Sequence, residues 1–243
     1  MLATELTQGQ QALAHQTNPE QLKLLARLLC GTTQPDVIQP EAWWPLLRLA
    51  VQHHVFMPLY ALYRQVLPQQ ALHPELQALE FNYKARSLEQ QSLTAEIDAA
   101  FRAADIPLIW LKGIVLAHTV YDAPELRYML DLDMLVPYER RHEALKVLQA
   151  MGYQLDHYVG ETREPLYKHY KLYPDREATE VSIELHYRLL GWVACPPFLA
   201  DDRWFRRQTQ QINTLMGDLL TLDDSAMALH LVIHDLFGHE NRY

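Results

Sequence analysis

Cysteine is nearly absent from this chain: Cys30 and Cys195 are the only two in 243 residues, too few for a disulfide framework. Basic charge is in deficit as well, with 21 Lys and Arg against 30 Asp and Glu and a formal net charge of −9. That balance excludes a broad, salt-driven attraction to nucleic acid or to an anionic membrane, so any polyanion has to be held by a local basic pocket. No apolar run approaches the roughly 20 residues that cross a bilayer. The opening Met1-Leu2-Ala3-Thr4-Glu5-Leu6-Thr7-Gln8 also lacks the positive start and apolar stretch of a secretion signal. A soluble, cytoplasmic protein with no membrane partner is expected. Repeats are missing too, and no low-complexity tract exceeds the polar connection Gly31 to Gln39. What is present is ordinary: 49% hydrophobic and 21% charged residues, enough for a real core in one large domain or two small ones.

Up to about Ala104 the pattern is helical. Pro19-Glu20, Pro40-Glu41 and Pro74-Glu75 each place proline at a first helical turn, opening Gln21 to Cys30, Ala42 to His53 and a long run ending near Ala104. In that last run Leu76, Leu79, Tyr83, Leu88, Leu93, Ile97 and Phe101 form a packing stripe that fits one helix or two. The pattern then changes. Ile106 to Leu111 is a β-prone run, and Lys112-Gly113 leads into a short helix through Tyr121. A helix from Tyr138 to Met151 is ended by Gly152. Tyr153 to Val159, Pro165 to Tyr173 and Ala178 to Leu189 read as strands, the last two joined by the Pro174-Asp175 turn. From Pro196 a mixed segment precedes a helix over Asp224 to Phe237, with Asp223 or Asp224 as N-cap.

Chemistry is concentrated in Met129-Leu130-Asp131-Leu132-Asp133-Met134-Leu135-Val136. This segment reads as a buried strand, yet it would project two carboxylates together from one face. Like charges side by side at a desolvated position repel, and a divalent cation between them is the simplest remedy. A second strand, Glu180-Val181-Ser182-Ile183-Glu184-Leu185-His186, alternates apolar Val181, Ile183 and Leu185 with a polar face centred on Glu184. If the two strands are neighbours, Asp131, Asp133 and Glu184 converge as oxygen ligands suited to Mg²⁺ or Mn²⁺.

These residues resemble the nucleotidyltransferases of the DNA polymerase beta type, in particular a subgroup of largely uncharacterised bacterial nucleotidyltransferase-like proteins. Leu111-Lys112-Gly113 is similar to that subgroup's glycine turn, Arg127 with Asp131 to Val136 to its arginine and paired-acid strand, and Ile183 to His186 to its third-acid strand. The stretch from His230 to His239 is similar to a late histidine-bearing helix. The resemblance implies an α+β fold: a small mixed nucleotidyltransferase sheet over 105–190, a helical N-terminal region over 1–104 and a mainly helical C-terminal region over 191–243. It implies Asp131, Asp133 and Glu184 as catalytic, metal-binding acids, and Lys112, Gly113 and Arg127 as nucleotide- and phosphate-binding residues. The donor is a nucleoside triphosphate such as ATP, and the acceptor is a hydroxyl of a small molecule, a protein or an RNA end. One departure is visible: the superfamily's Gly-Gly or Gly-Ser pair is here a lone Gly113 after Lys112, farther from the first acid. Backbone N–H groups at the following helix start, with Lys112 and Arg127, would take over the phosphate cradle. Relatives often continue beyond the ending Phe237 to Tyr243, so a shortened chain lacking part of the acceptor site is expected.

Other readings compete. The alternative on the same fold is a catalytically inactive nucleotide-sensing or protein-binding module. His230 and His234 lie one helical turn apart near His239 and Glu240, a zinc-compatible spacing, but no His-Glu-x-x-His supplies a base, and packing histidines are the expectation. His186 shares the face of Glu184 and is read as a hydrogen-bonded structural residue rather than a catalytic one. Tyr167 to Tyr173 mixes lysines and aromatics, which suits a base-stacking surface or an ordinary edge strand equally.

Overall fold

The computed structural model describes residues 18–67, 74–156, 169–175, 180–189 and 203–238, with the side chains of 236–238 left out. The described residues fall into two compact units: 1–87 with 122–128, and 88–121 with 129–243. No helix among them is long and apolar enough to cross a membrane.

The first unit is helical. It contains α1 (Pro19–Leu29), α2 (Pro40–Gln52), α3 (Phe56–Tyr63) and the first part of α4 (Pro74–Ala103). Prolines at the first turns of α1 and α2 act as the sequence suggests, and Asn18 adds a side-chain cap, its Oδ1 accepting from Glu20 N at 3.0 Å. Trp43, Leu47, Phe56, Leu59 and Tyr83 belong to a separate apolar core in this unit. The long run before Ala104 is one helix of 30 residues.

The second unit is a mixed sheet with helices. Its elements are β1 (Ile109–Leu111), α5 (Lys112–Thr119), β2 (Asp131–Leu135), α6 (Arg141–Ala150), β3 (Tyr153–Leu155), β4 (His169–Pro174), β5 (Ser182–His186), α7 (Arg203–Arg207), β6 (Thr209–Thr214), β7 (Gly217–Leu222) and α8 (Asp224–Gly238). The strand order is β3-β4-β5-β2-β1-β7-β6. β2 runs parallel to β5 and antiparallel to β1, and β1 runs parallel to β7. The fold is therefore α+β with a mixed sheet, as the resemblance implies.

Several boundaries are tighter than the sequence suggests. The run from Ile106 is strand only from Ile109, and the helix expected from Tyr138 starts with a 3₁₀ turn over Tyr138–Arg140. The strand expected over 178–189 pairs over Ser182–His186. The expected continuation of β3 to Val159 and the start of the next strand at Pro165 lie largely outside the described residues. β4 is not an edge strand: it lies between β3 and β5. The mixed segment before the last helix is a β-hairpin that extends the sheet beyond β1. Asp223 caps α8, its Oδ1 accepting from Ala226 N at 2.8 Å.

Alternation along β2 and β5 divides the sheet into two chemistries. Leu132, Met134, Ile183 and Leu185 are fully buried on one face, with Tyr170 and Leu172 of β4 beside them. The other face carries Asp131, Asp133, Ser182, Glu184 and His186, joined by His169 and Lys171. A one-residue slip would exchange the two sets, so burial of the apolar face fixes the register that gathers the polar one.

Candidate active site

β2 and β5 are directly hydrogen-bonded neighbours, with Asp131 opposite Ser182 and Asp133 opposite Glu184. Directly opposed residues share a face, so the three acids that the sequence singled out lie on one face of the sheet, while the group whose ligand atoms lie within 4.8 Å of one another among the described residues is His169, Glu184 and His186. Antiparallel pairing then brings Lys171 opposite Glu184 and His169 opposite His186.

Asp133 lies deepest, 6% exposed, and its Oδ1 takes two donors: Lys112 Nζ at 2.7 Å and His186 Nε2 at 2.9 Å. A carboxylate only accepts, so His186 carries a proton on Nε2 in this contact. Glu184 is reached by His186 Nε2 at 3.5 Å, Lys171 Nζ at 3.6 Å and His169 Nε2 at 3.8 Å. His186 is fully buried, and its Nδ1 has no hydrogen-bond partner among the described residues. Its polar contacts therefore all run through the ring edge that faces the acids.

The three carboxyls are not equivalent. Burial pushes Asp131 up to about 6, and the charges of Asp133 and Glu184 push the same way against Lys112 and Lys171. Burial also raises Asp133, but the His186 hydrogen bond and the Lys112 charge outweigh it and hold that carboxyl below the ordinary range. Glu184 is likewise held low, because the His186 hydrogen bond and the nearby His169, His186 and Lys112 overcome its burial. The cluster thus carries negative charge that its own cations do not fully balance, and Asp131 registers the remainder.

Lys112 reaches Asp133 from an unusual backbone. It stands at the start of α5 with φ +48, in the left-handed region that disfavours a long side chain. Gly113, next in the chain, is not the left-handed residue of this turn. It is required by close approach, since an added Cβ would lie 2.8 Å from Met129 Sδ and 2.9 Å from its Cγ. Arg127 belongs to the other compact unit, where its buried Nε has no hydrogen-bond partner among the described residues.

His186, read as a hydrogen-bonded structural residue, does hydrogen-bond to Asp133 and also approaches Glu184. Its alternation with Glu184 was visible, but the contact to Asp133 depends on β2 lying alongside. His169 and Lys171 reach Glu184 only through the β4–β5 register, which no local pattern encodes. His230 is fully buried on α8 with neither ring nitrogen hydrogen-bonded. Burial, with His186, Lys112 and His234 nearby, lowers it to about 3, so it is a neutral imidazole. Its ring stands 6.1 Å from that of His234, and the pair belongs to no three-residue group of metal-ligand type among the described residues. His239 and Glu240 lie outside the described residues. His230 is buried, as the packing expectation has it, and the zinc reading that includes His239 and Glu240 falls partly outside the described residues.

The mixed sheet thus presents two aspartates on one strand and a glutamate on its parallel neighbour. The chain belongs to the family of uncharacterised nucleotidyltransferases, whose model matches residues 39–242. No curated protein matches it. Among solved structures, the crystal structure of ANT(2″)-Ia in complex with adenylyl-2″-tobramycin is 15% identical, covering 61% of this chain and 78% of that one at a TM-score of 0.42. The solution structure of the antibiotic-resistance factor ANT(2″)-Ia is 14% identical, covering 58% and 69% at 0.40. The lincomycin-bound lincosamide antibiotic adenylyltransferase LnuA is 13% identical, covering 58% and 84% at 0.40.

Proposed function

We propose that the chain moves a nucleoside monophosphate from a nucleoside triphosphate to an acceptor hydroxyl, with divalent Mg²⁺ or Mn²⁺ held by Asp131, Asp133 and Glu184. The observation that carries this is the β2–β5 register, which sets Asp133 directly beside Glu184 and Asp131 two residues along the same face. The residues fit such an ion: the donors are hard oxygens, and Asp131 is pushed up to about 6 by burial and by the uncancelled charge of its neighbours. Bound there, divalent ions supply charge neutralisation at the α-phosphoryl group and a lowered pKa for the attacking hydroxyl.

In the reaction, the acceptor oxygen bonds to the α-phosphorus, the bond to the bridging oxygen breaks, and pyrophosphate leaves with the electron pair. The acceptor's proton passes to solvent or to a carboxylate of the cluster. Asp131, Asp133 and Glu184 would hold the divalent ions, which would supply charge neutralisation and activation of the acceptor hydroxyl. Lys112 now pairs with Asp133 Oδ1 and would be the cation available to a phosphate oxygen if an ion took its place. Gly113 keeps the α5 turn close against Met129.

Calorimetric titration of ATP, CTP, GTP and UTP, each with Mg²⁺, tests the reading. Wild type is expected to bind at least one of them only with metal, and Asp131→Asn and Asp133→Asn to lose tenfold or more. Equal binding by wild type and both variants would overturn it. One observation favours a second reading, a non-catalytic module: Asp133 is already satisfied by Lys112 and His186 without any ion. Label from an α-phosphate-labelled nucleotide that never transfers, despite metal-dependent binding, would select that reading.

A further inference from the structure

The acid cluster is bordered by imidazoles on one side only. His169, Glu184 and His186 each offer a ligand atom, and these atoms all lie within 4.8 Å of one another. His186 Nε2 is 3.5 Å from Glu184 Oε2, and His169 Nε2 is 3.8 Å from Glu184 Oε1. The two rings are 4.9 Å apart at 52°, so both Nε2 edges meet the same carboxylate without stacking. Asp133 Oδ1, 2.9 Å from His186 Nε2, adds a further oxygen at the border.

We infer that the Glu184 side of the cluster is a mixed nitrogen–oxygen metal site, His169–Glu184–His186, which selects a later first-row ion of the Co²⁺ or Zn²⁺ type over Mg²⁺. The inference deepens the reading above and rests on it, because Glu184 is shared.

The argument is one of donor chemistry. Mg²⁺ takes oxygen ligands in near-ideal octahedra and keeps its waters, whereas imidazole suits the later first-row ions. Ions of that type hold nitrogen and oxygen at about 2.0–2.2 Å, which puts neighbouring ligand atoms roughly 3.3 Å apart in a tetrahedral site. The separations of 3.5 and 3.8 Å, each to a different oxygen of Glu184, are near that spacing, and one ligand atom from each residue lies within 4.8 Å of the others. Backbone geometry favours the same set. His169 and His186 are directly opposed across β4 and β5, and Glu184 is two residues from His186 on the same face, so rigid strands rather than loops carry all three. His186 is buried with Nδ1 unpartnered, which leaves Nε2 as its working edge. To ligate, His186 would have to carry its ring proton on Nδ1, leaving the Nε2 lone pair free in place of the hydrogen bond now made to Asp133. Lys171 Nζ, 3.6 Å from Glu184 Oε1, is the charge that must withdraw.

The test uses the full chain, stripped by chelator and titrated with Co²⁺ alone, read by its visible ligand-field bands. One equivalent with bands of a nitrogen-containing, low-coordinate site is expected, persisting in hundredfold excess Mg²⁺. Asp131→Asn should keep the bands, and His169→Ala and His186→Ala should each weaken Co²⁺ binding tenfold or more. His186 is fully buried, so the half-exposed His169 provides the variant that keeps the fold, checked by circular dichroism. No bands in wild type, displacement by equimolar Mg²⁺, or unchanged affinity in folded His169→Ala would each overturn the inference. Metal-dependent nucleotide binding without Co²⁺ bands would sink this inference alone. Co²⁺ bands alongside wild-type nucleotide binding by Asp131→Asn and Asp133→Asn would sink only the reading of the acids.

Discussion

Asp131 and Asp133 stand two residues apart on one strand, yet their surroundings pull their protonation in opposite directions. Asp131 is raised to about 6 from an ordinary value of 3.8, so its contribution to stability is complete below that ordinary value and is lost as pH rises through 6. Asp131→Asn removes the penalty. The metal-free variant is expected to be more stable than wild type at pH 7 by about 1 kcal/mol, after allowance for solvent screening. The difference should vanish by about pH 4, where wild-type Asp131 is itself neutral. Thermal unfolding of both proteins across that range checks the sign. Asp133 is held low, so its contribution is present above its ordinary value and fades only as pH falls below it. Asp133→Asn strips the anion from Lys112 and His186 and should destabilise the fold by about 3 kcal/mol, as losing one member of a buried ion pair does. Denaturant unfolding at pH 7 measures it. A pair with opposite signs of effect separates a site poised for a cation from a merely structural carboxylate pair.

At the scale of elements, the turn from β1 into α5 combines two unfavourable features. Lys112 is left-handed without being glycine, and Gly113 is pressed against Met129. Such strain, of order 1–3 kcal/mol, tends to persist where surrounding structure and function hold it. Gly113→Ala should cost about 1–2 kcal/mol, and Gly113→Ala with Met129→Ala should recover part of that loss, because the clash partner is a side chain rather than backbone. A double-mutant cycle in urea reads the coupling. β2 and β5 were legible because each alternates apolar and charged residues, a local signal that also fixes which face the acids share. In the first unit α1, α2 and the start of α4 were legible from their opening prolines, and α3, which lacks one, was not singled out. The β6–β7 hairpin was not: Thr-Gln-Gln-Ile-Asn-Thr over Thr209–Thr214 is largely polar and mostly half-exposed or exposed, so it offers no strong alternation to read.

For the whole molecule, the sequence located the three acids but not what surrounds them. His186 and His169 became part of the site through strand order and register, which are long-range properties. Lys112 was read as a phosphate-binding residue, whereas its contact with Asp133 depends on β1 pairing with β2. Arg127 illustrates the opposite case, a residue adjacent to the motif in sequence that belongs to the other compact unit. Loading should stabilise the fold, since a ligand that binds only the folded state stabilises it by about 2.7 kcal/mol at a hundredfold excess over its Kd. The most direct measurement of the central claim is a crystal structure with Mn²⁺ and a non-hydrolysable nucleoside triphosphate analogue, phased to show anomalous scattering. The account predicts manganese peaks bound by Asp131, Asp133 and Glu184, with Lys112 moved from Asp133 to a phosphate oxygen. Nucleotide density without manganese at these acids, or Lys112 still seated on Asp133, would contradict it.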